Sequence, residues 1–166
     1  MAEPRRNTRV AKTAKTKPMD EYGHLQPQAP ELEEAVLGAL MIEKDAYSLV
    51  SEILRPESFY EHRHQLIYAA ITDLAIQQKP IDILTVAEQL RSRGNLEEAG
   101  GPFYITQLSG KVASSAHIEY HARIIAQKFL ARELISFTSN IQTKALFLLR
   151  ATYRLRRSTR RRTWTT

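Results

Sequence analysis

Between residues 114 and 144 the chain contains neither glycine nor proline. A single helix of roughly thirty residues, capped at its start by Ser114 or Ser115, is what such a stretch favours. Its apolar side chains do not keep to one stripe. At about 100° per residue, Ile118, Ala122, Ile125 and Phe129 gather on one side of the helix. Ala126, Leu130, Leu134, Phe137 and Ile141 gather roughly 100° further round. Two apolar faces in succession need two surfaces to cover them. The first half is expected to pack on the rest of the protein. For the second half nothing apolar remains in cis except residues 146–149, so a partner chain or a further segment is expected to cover Leu130, Leu134, Phe137 and Ile141. A helix of this kind points to association.

The residues upstream read as shorter helices with brief connections. Pro30 suits the first turn of a helix, followed by Glu31, Glu33 and Glu34 where the helix dipole favours acids. Leu32, Val36, Leu37 and Leu40 form its apolar stripe. Asp45 is placed to cap a short helix carrying Leu49, Val50 and Ile53. After Pro56 a longer helix from about residue 61 to 78 is expected to bury Leu66, Ile67, Ala70, Ile71 and Leu74, and Pro80 ends it. Asp82 is the next cap, ahead of Leu84, Val86, Ala87 and Leu90, with Gly94 suited to the position past the helix end. Gly100 and Gly101 form a turn, and Pro102 opens a helix holding Tyr104, Ile105 and Leu108. No stretch alternates as a strand does. The fold class expected is all-α, with about six helices.

Charge is unevenly spread. The net charge of the 166 residues is +6, yet residues 26–144 carry eleven Lys/Arg against fifteen Asp/Glu. The basicity sits at the ends. Residues 1–25 are basic, poor in large apolar groups and without periodicity, which reads as a disordered arm. Residues 145–166 hold seven arginines and no acid, the last acidic residue being Glu133. That tail is open to two readings, an arginine-rich nucleic-acid-binding segment or the product of a reading-frame change near residue 145. If the tail is genuine, Arg154, Arg156, Arg157, Arg160, Arg161 and Arg162 are its phosphate contacts.

Several chemistries are not expected. With no cysteine there is no disulfide scaffold, thiolate nucleophile or Cys-ligated metal. The longest apolar run, residues 35–42, is far short of the ~20 residues of a membrane span. His117 and His121 stand at i, i+4, but Ile118 occupies the place where a zinc protease helix needs its glutamate. His62 and His64 are two apart and would point to different sides of a helix. Around Gly110 and Lys111 a phosphate loop lacks its first glycine, since Ile105 stands there, and its Ser/Thr, since Val112 stands there. No catalytic, cofactor-binding or metal-binding residue is expected.

Five blocks in order carry a resemblance. They are PQAPELEEAVLGALMIEKDAY from residue 27, FYEHRHQLIY from 59, PIDILTVAEQL from 80, RGNLEEAGGPFYITQL from 93 and SSAHIEYHARII from 114. Together they resemble the N-terminal domain of bacterial DnaB-type replicative DNA helicases over residues 27–143. The resemblance implies a helical globular domain followed by a helical hairpin. It also implies pairing of such domains through their hairpins into a ring, a trimer of dimers. Primase docks on that collar, with a helicase loader a further possible partner and DNA reached through the full-length assembly. ATP and magnesium belong to the family's separate motor domain, and the setting is the bacterial cytoplasm.

Three departures are visible. The sequence stops before any motor domain, so ATPase and unwinding activity are not expected of it. The arginine-rich segment stands where the second hairpin arm should follow residue 144. His117 stands where a polar residue such as Asn is usual. The layout expected is therefore a disordered arm at 1–26, a globular domain at 27–113, the first hairpin helix at 114–144, and a tail at 145–166 foreign to the family. The function expected is assembly and partner docking in DNA replication. The alternative is a stand-alone nucleic-acid-binding protein using its two basic ends.

Overall fold

The computed structural model describes residues 26–111 and 117–159, the last nine of these by their backbone alone. The basic arm expected at the N-terminus and the Ser114/Ser115 cap therefore lie outside the described residues. Six helices appear in order: α1 (Pro30–Ile42), α2 (Ala46–Val50), α3 (His62–Ile76), α4 (Ile83–Ser92), α5 (Gly101–Ser109) and α6 (Ile118–Thr159). A 3-10 turn, Pro56–Ser58, stands between α2 and α3. Among the described residues there is no strand, and the all-α expectation holds.

α1 is the centre of the core. Val36, Leu37, Ala39, Leu40 and Met41 are all buried, and α1 touches α2, α3, α4, α5 and α6. Ile67, Tyr68, Ala70, Ile71 and Leu74 of α3, Val86 and Leu90 of α4, and Ile105 and Leu108 of α5 close round it. The body does not end at residue 113, because Ile118, Ala122 and Ile125 of α6 belong to the same core. The first apolar face of the long helix has thus found its surface in cis.

Local signals act through different groups. At α4, Asp82 caps as expected: its Oδ1 accepts from the amides of Leu84 at 2.9 Å and Thr85 at 2.8 Å. Thr85 Oγ1 in return accepts from the Asp82 amide at 2.9 Å. Past α4, Gly94 takes φ 74°, and the Asn95 amide reaches back to the carbonyl of Leu90 at 2.9 Å, satisfying an end carbonyl. Asp45 does not cap α2. It is itself helical in backbone, φ −95° and ψ −1°, whereas a capping side chain folds back over the first turn only from an extended backbone. Leu49 and Leu84, expected inward, are exposed. Val50 and Val86 take the inward positions, and Leu84 lies about 200° round the helix from Val86.

Gly100 precedes α5 at φ 100°, and a Cβ there would stand 2.9 Å from Cβ and Cγ of Tyr104. Backbone strain and side-chain clash therefore coincide. Gly100→Ala is expected to destabilise the body by about 2 kcal/mol and to loosen the Tyr104 side chain. Thermal melting checks the first effect, and the near-ultraviolet dichroism of the tyrosines checks the second.

α6 does not stop near residue 144. It continues to Thr159, 42 residues in all. Residues 145–159 contain no glycine or proline and several Ala, Leu and Arg, all strong helix formers.

Candidate functional site

Two features stand out, one buried and one exposed. The buried one is polar. Glu33 is 1% exposed and His64 0% exposed, inside an otherwise apolar core. His64 Nδ1 donates to Glu33 Oε2 at 2.7 Å. The other Glu33 oxygen accepts from the Tyr60 amide at 2.7 Å, so one carboxylate holds both α3 and the chain entering it. On its far side, His64 Nε2 meets the Tyr104 hydroxyl at 2.7 Å, with the two rings stacked. Burial, reinforced by Glu34, raises the Tyr104 pKa above its ordinary value against the opposing pull of Arg63, so the phenol keeps its proton. That single proton serves either His64 Nε2 or Glu34 Oε1, which lies 3.2 Å away. α1, α3 and α5 are thereby tied at one point.

Arg132 of α6 completes the frame. It donates to the carbonyl of Pro27 at 2.9 Å and to that of Ser58 at 2.8 Å. Its guanidinium also lies over the rings of Tyr60 and Phe129. Burial lowers its pKa from the ordinary value, while Glu33 and Tyr60 oppose that shift.

The exposed feature lies on the same stretch of α6 and extends beyond Arg132. Leu130, Leu134, Phe137 and Ile141 are between 51% and 63% exposed, and Leu146, Phe147 and Leu148 beyond them are exposed too. These residues share one helix. The body packs on the first turns of this helix, at Ile118, Ala122 and Ile125, and nothing among the described residues covers the stripe. Its backbone is a regular helix, which presents the side chains at fixed spacing. A surface of this kind offers apolar area and shape, and no group for covalent or acid–base chemistry.

The remaining sequence-selected residues are placed as follows. Arg154, Arg156 and Arg157 belong to α6 by backbone, and Arg160, Arg161 and Arg162 lie outside the described residues. His117 is exposed directly before α6, and His121 is half-buried in its first turn. His62 points outward to Glu98 at 3.2 Å, away from His64. Among the described residues no group of three or more His, Cys, Asp or Glu could hold a metal ion. No helix there is long and apolar enough to cross a membrane.

Residues 25–127 match the family described as DnaB-like helicase N-terminal domain. The replicative DNA helicase DnaB of Rhodothermus marinus is 54% identical over 110 residues, which are 66% of this chain and 12% of that protein. The replicative DNA helicase DnaC of Bacillus subtilis is 41% identical over 117 residues, 70% of this chain and 26% of that one. The chain thus spans only about a quarter or less of the length of these relatives. The crystal structure of the N-terminal domain of DnaB helicase from Mycobacterium tuberculosis superposes with a TM-score of 0.71 at 38% identity, covering 73% of this chain and 88% of that one. A DnaB-like replicative helicase studied for its interactions with primase superposes with a TM-score of 0.63 at 27% identity, covering 78% of this chain and 31% of that one.

Proposed function

The chain belongs to the DnaB-like helicase N-terminal domain family, and on that premise we propose that it serves assembly and partner docking in bacterial DNA replication. The observation that carries the reading is the uncovered apolar stripe Leu130, Leu134, Phe137 and Ile141 on the part of α6 that follows its buried first turns. Such a stripe is stable in water only when another surface covers it. The body it projects from holds no constellation suited to catalysis among the described residues. Binding other helicase subunits through α6 is the first expected activity.

Docking of primase is the second, since a structural neighbour at 27% identity is a helicase described with its interactions with primase. A helicase loader and DNA, the latter through the full-length assembly, are further partners in this reading. ATP and magnesium act in a motor domain rather than here, and the place of action is the cytoplasmic replisome. This chain is in that sense a non-enzymatic part of an ATP-dependent helicase.

Sedimentation of the purified chain over a range of concentrations tests the proposal. A reversible increase in mass across the micromolar range is expected. A strict monomer at a hundred micromolar would sink the assembly reading. DNA affinity falling steeply with salt, and lost when residues 154–162 are removed, would instead favour the basic end as a nucleic-acid contact.

A further inference from the structure

The polar cluster inside the body has more acceptors than a neutral histidine can satisfy. Three contacts run in line through it. Glu33 Oε2 meets His64 Nδ1 at 2.7 Å, His64 Nε2 meets the Tyr104 hydroxyl oxygen at 2.7 Å, and that oxygen meets Glu34 Oε1 at 3.2 Å. Both Glu33 oxygens also accept from amides, Oε1 from Tyr60 at 2.7 Å and Oε2 from Glu61 at 3.5 Å. Glu33 therefore has no proton to offer, and Nδ1 must donate. A neutral ring then has no proton on Nε2. The Tyr104 proton has to serve Nε2, which leaves the phenol oxygen and Glu34 facing each other with no hydrogen between them. An imidazolium supplies the missing proton. Nε2 donates to Tyr104, Tyr104 donates to Glu34, and three contacts hold three protons.

We propose that His64 is a buried proton switch, loaded from solvent through Glu34 and Tyr104, that sets which helices the Tyr104 hydroxyl holds. With His64 charged, this hydroxyl of α5 is bonded to both α3 and α1. With His64 neutral, it is bonded to α3 alone. The route exists because the line of contacts ends at the surface. Glu34 reaches Lys111 at 3.1 Å, and their side chains are 17% and 47% exposed, against 0% for His64. A solvent proton arriving on Glu34 passes to the Tyr104 oxygen as Tyr104's own proton passes to His64 Nε2. One O–H bond breaks and another forms. The new O–H already points at Glu34, as the charged state requires.

The surroundings admit both forms. Burial works against a charged ring, and two charge-assisted hydrogen bonds work for it. Lys111 offsets Glu34, and Arg132 attracts Glu33. Arg63 lies over the Tyr104 ring at 4.2 Å and is paired with Glu61. Three acids and three bases thus cancel. Burial raises the pKa of both Tyr104 and Tyr60, so neither phenol adds a charge.

Nitrogen-15 labelling of the histidine rings tests the switch in the full chain, because the two ring nitrogens resonate alike in the imidazolium and far apart in a neutral ring. His64 should carry two ring protons at the acid end of a titration and only the Nδ1 proton at the alkaline end. The Tyr104 ring signals should move with the same midpoint while the far-ultraviolet dichroism of the body stays constant. A ring that holds one state, charged or neutral, until the body unfolds overturns the switch. A neutral ring with its proton on Nε2 overturns the proton count. Tyr104→Phe keeps the stacked ring and removes the acceptor of the Nε2 proton. The His64 midpoint should then fall by about one pH unit, a tenfold loss of proton affinity. Glu34→Gln removes the charge at the outer end and should lower the midpoint in the same direction by less. A midpoint unmoved in either folded variant overturns that residue's place in the route.

Discussion

Glu33→Ala is expected to lower the stability of the body by about 3–5 kcal/mol, since it leaves two buried donors without an acceptor at about 1–3 kcal/mol each and removes packed atoms besides. The loss has three parts. His64 loses the acceptor of its Nδ1 proton, 2.7 Å away. The Tyr60 amide loses its acceptor, also at 2.7 Å. A small void opens beside Val36 and Leu37. For a domain of about a hundred residues each kcal/mol shifts the melting temperature by roughly 4–8 °C, so a drop of 15 °C or more should be seen by calorimetry. Glu33→Gln keeps an oxygen for the Tyr60 amide and should cost less than half as much. Pairing Glu33→Leu with His64→Phe removes both members of the hydrogen-bonded pair together, and buried polar pairs replaced jointly by apolar groups cost little. The double variant should therefore be more stable than Glu33→Ala. If it is less stable, the pair is not the reason Glu33 matters.

The importance of this cluster was within reach of the sequence, though not as chemistry. Glu33 stands on the same helical face as Val36, Leu37 and Leu40, and His64 on the same face as Ile67, Tyr68 and Ile71. Reading Glu33 only as an acid suited to a first turn explains its charge and misses its side. Comparing polar residues with the apolar stripe of their own helix would have marked both as buried. What sequence could not provide is that the two faces meet, because that depends on how α1 and α3 cross. Arg132 was invisible for the same reason. It serves two carbonyls, of Pro27 and Ser58, which are 105 and 74 residues away along the chain.

The elements were legible where the signal is local. Asp82 and Gly94 act through atoms within a few residues of themselves, and both behave as expected. Asp45 has the right side chain and the wrong backbone, so composition alone misplaces it. The end of α6 was misjudged because a change in composition at residue 145 is not a change in helix propensity. Arginine, leucine and alanine continue a helix as readily as the lysine- and glutamate-containing stretch before them. The exposed stripe was the most legible feature, since two apolar faces on one helix follow from periodicity alone.

Replacing two residues of that stripe gives the largest effect expected on association. Leu134→Glu with Phe137→Lys puts opposite charges three residues apart, which preserves α6 as a helix, and both sites are exposed, so the core is untouched. The melting temperature of the body should change by no more than a few degrees. Association should behave differently. Burying a leucine or phenylalanine side chain contributes about 1.5–3 kcal/mol, and a two-fold interface loses each contribution twice. Charges forced into the contact add their desolvation cost. Together these exceed the 2.7 kcal/mol that corresponds to a hundredfold change in affinity, so the variant should sediment as a monomer where the parent associates. Leu84→Glu supplies the control: Leu84 is as exposed as the stripe but lies on α4, so its replacement should leave association unchanged. Equal loss in both variants would mean that the chain self-associates by indiscriminate apolar contact. Loss confined to the α6 variant means that one helical face, held at fixed spacing on a helix anchored to the body by its first turns, selects what it binds.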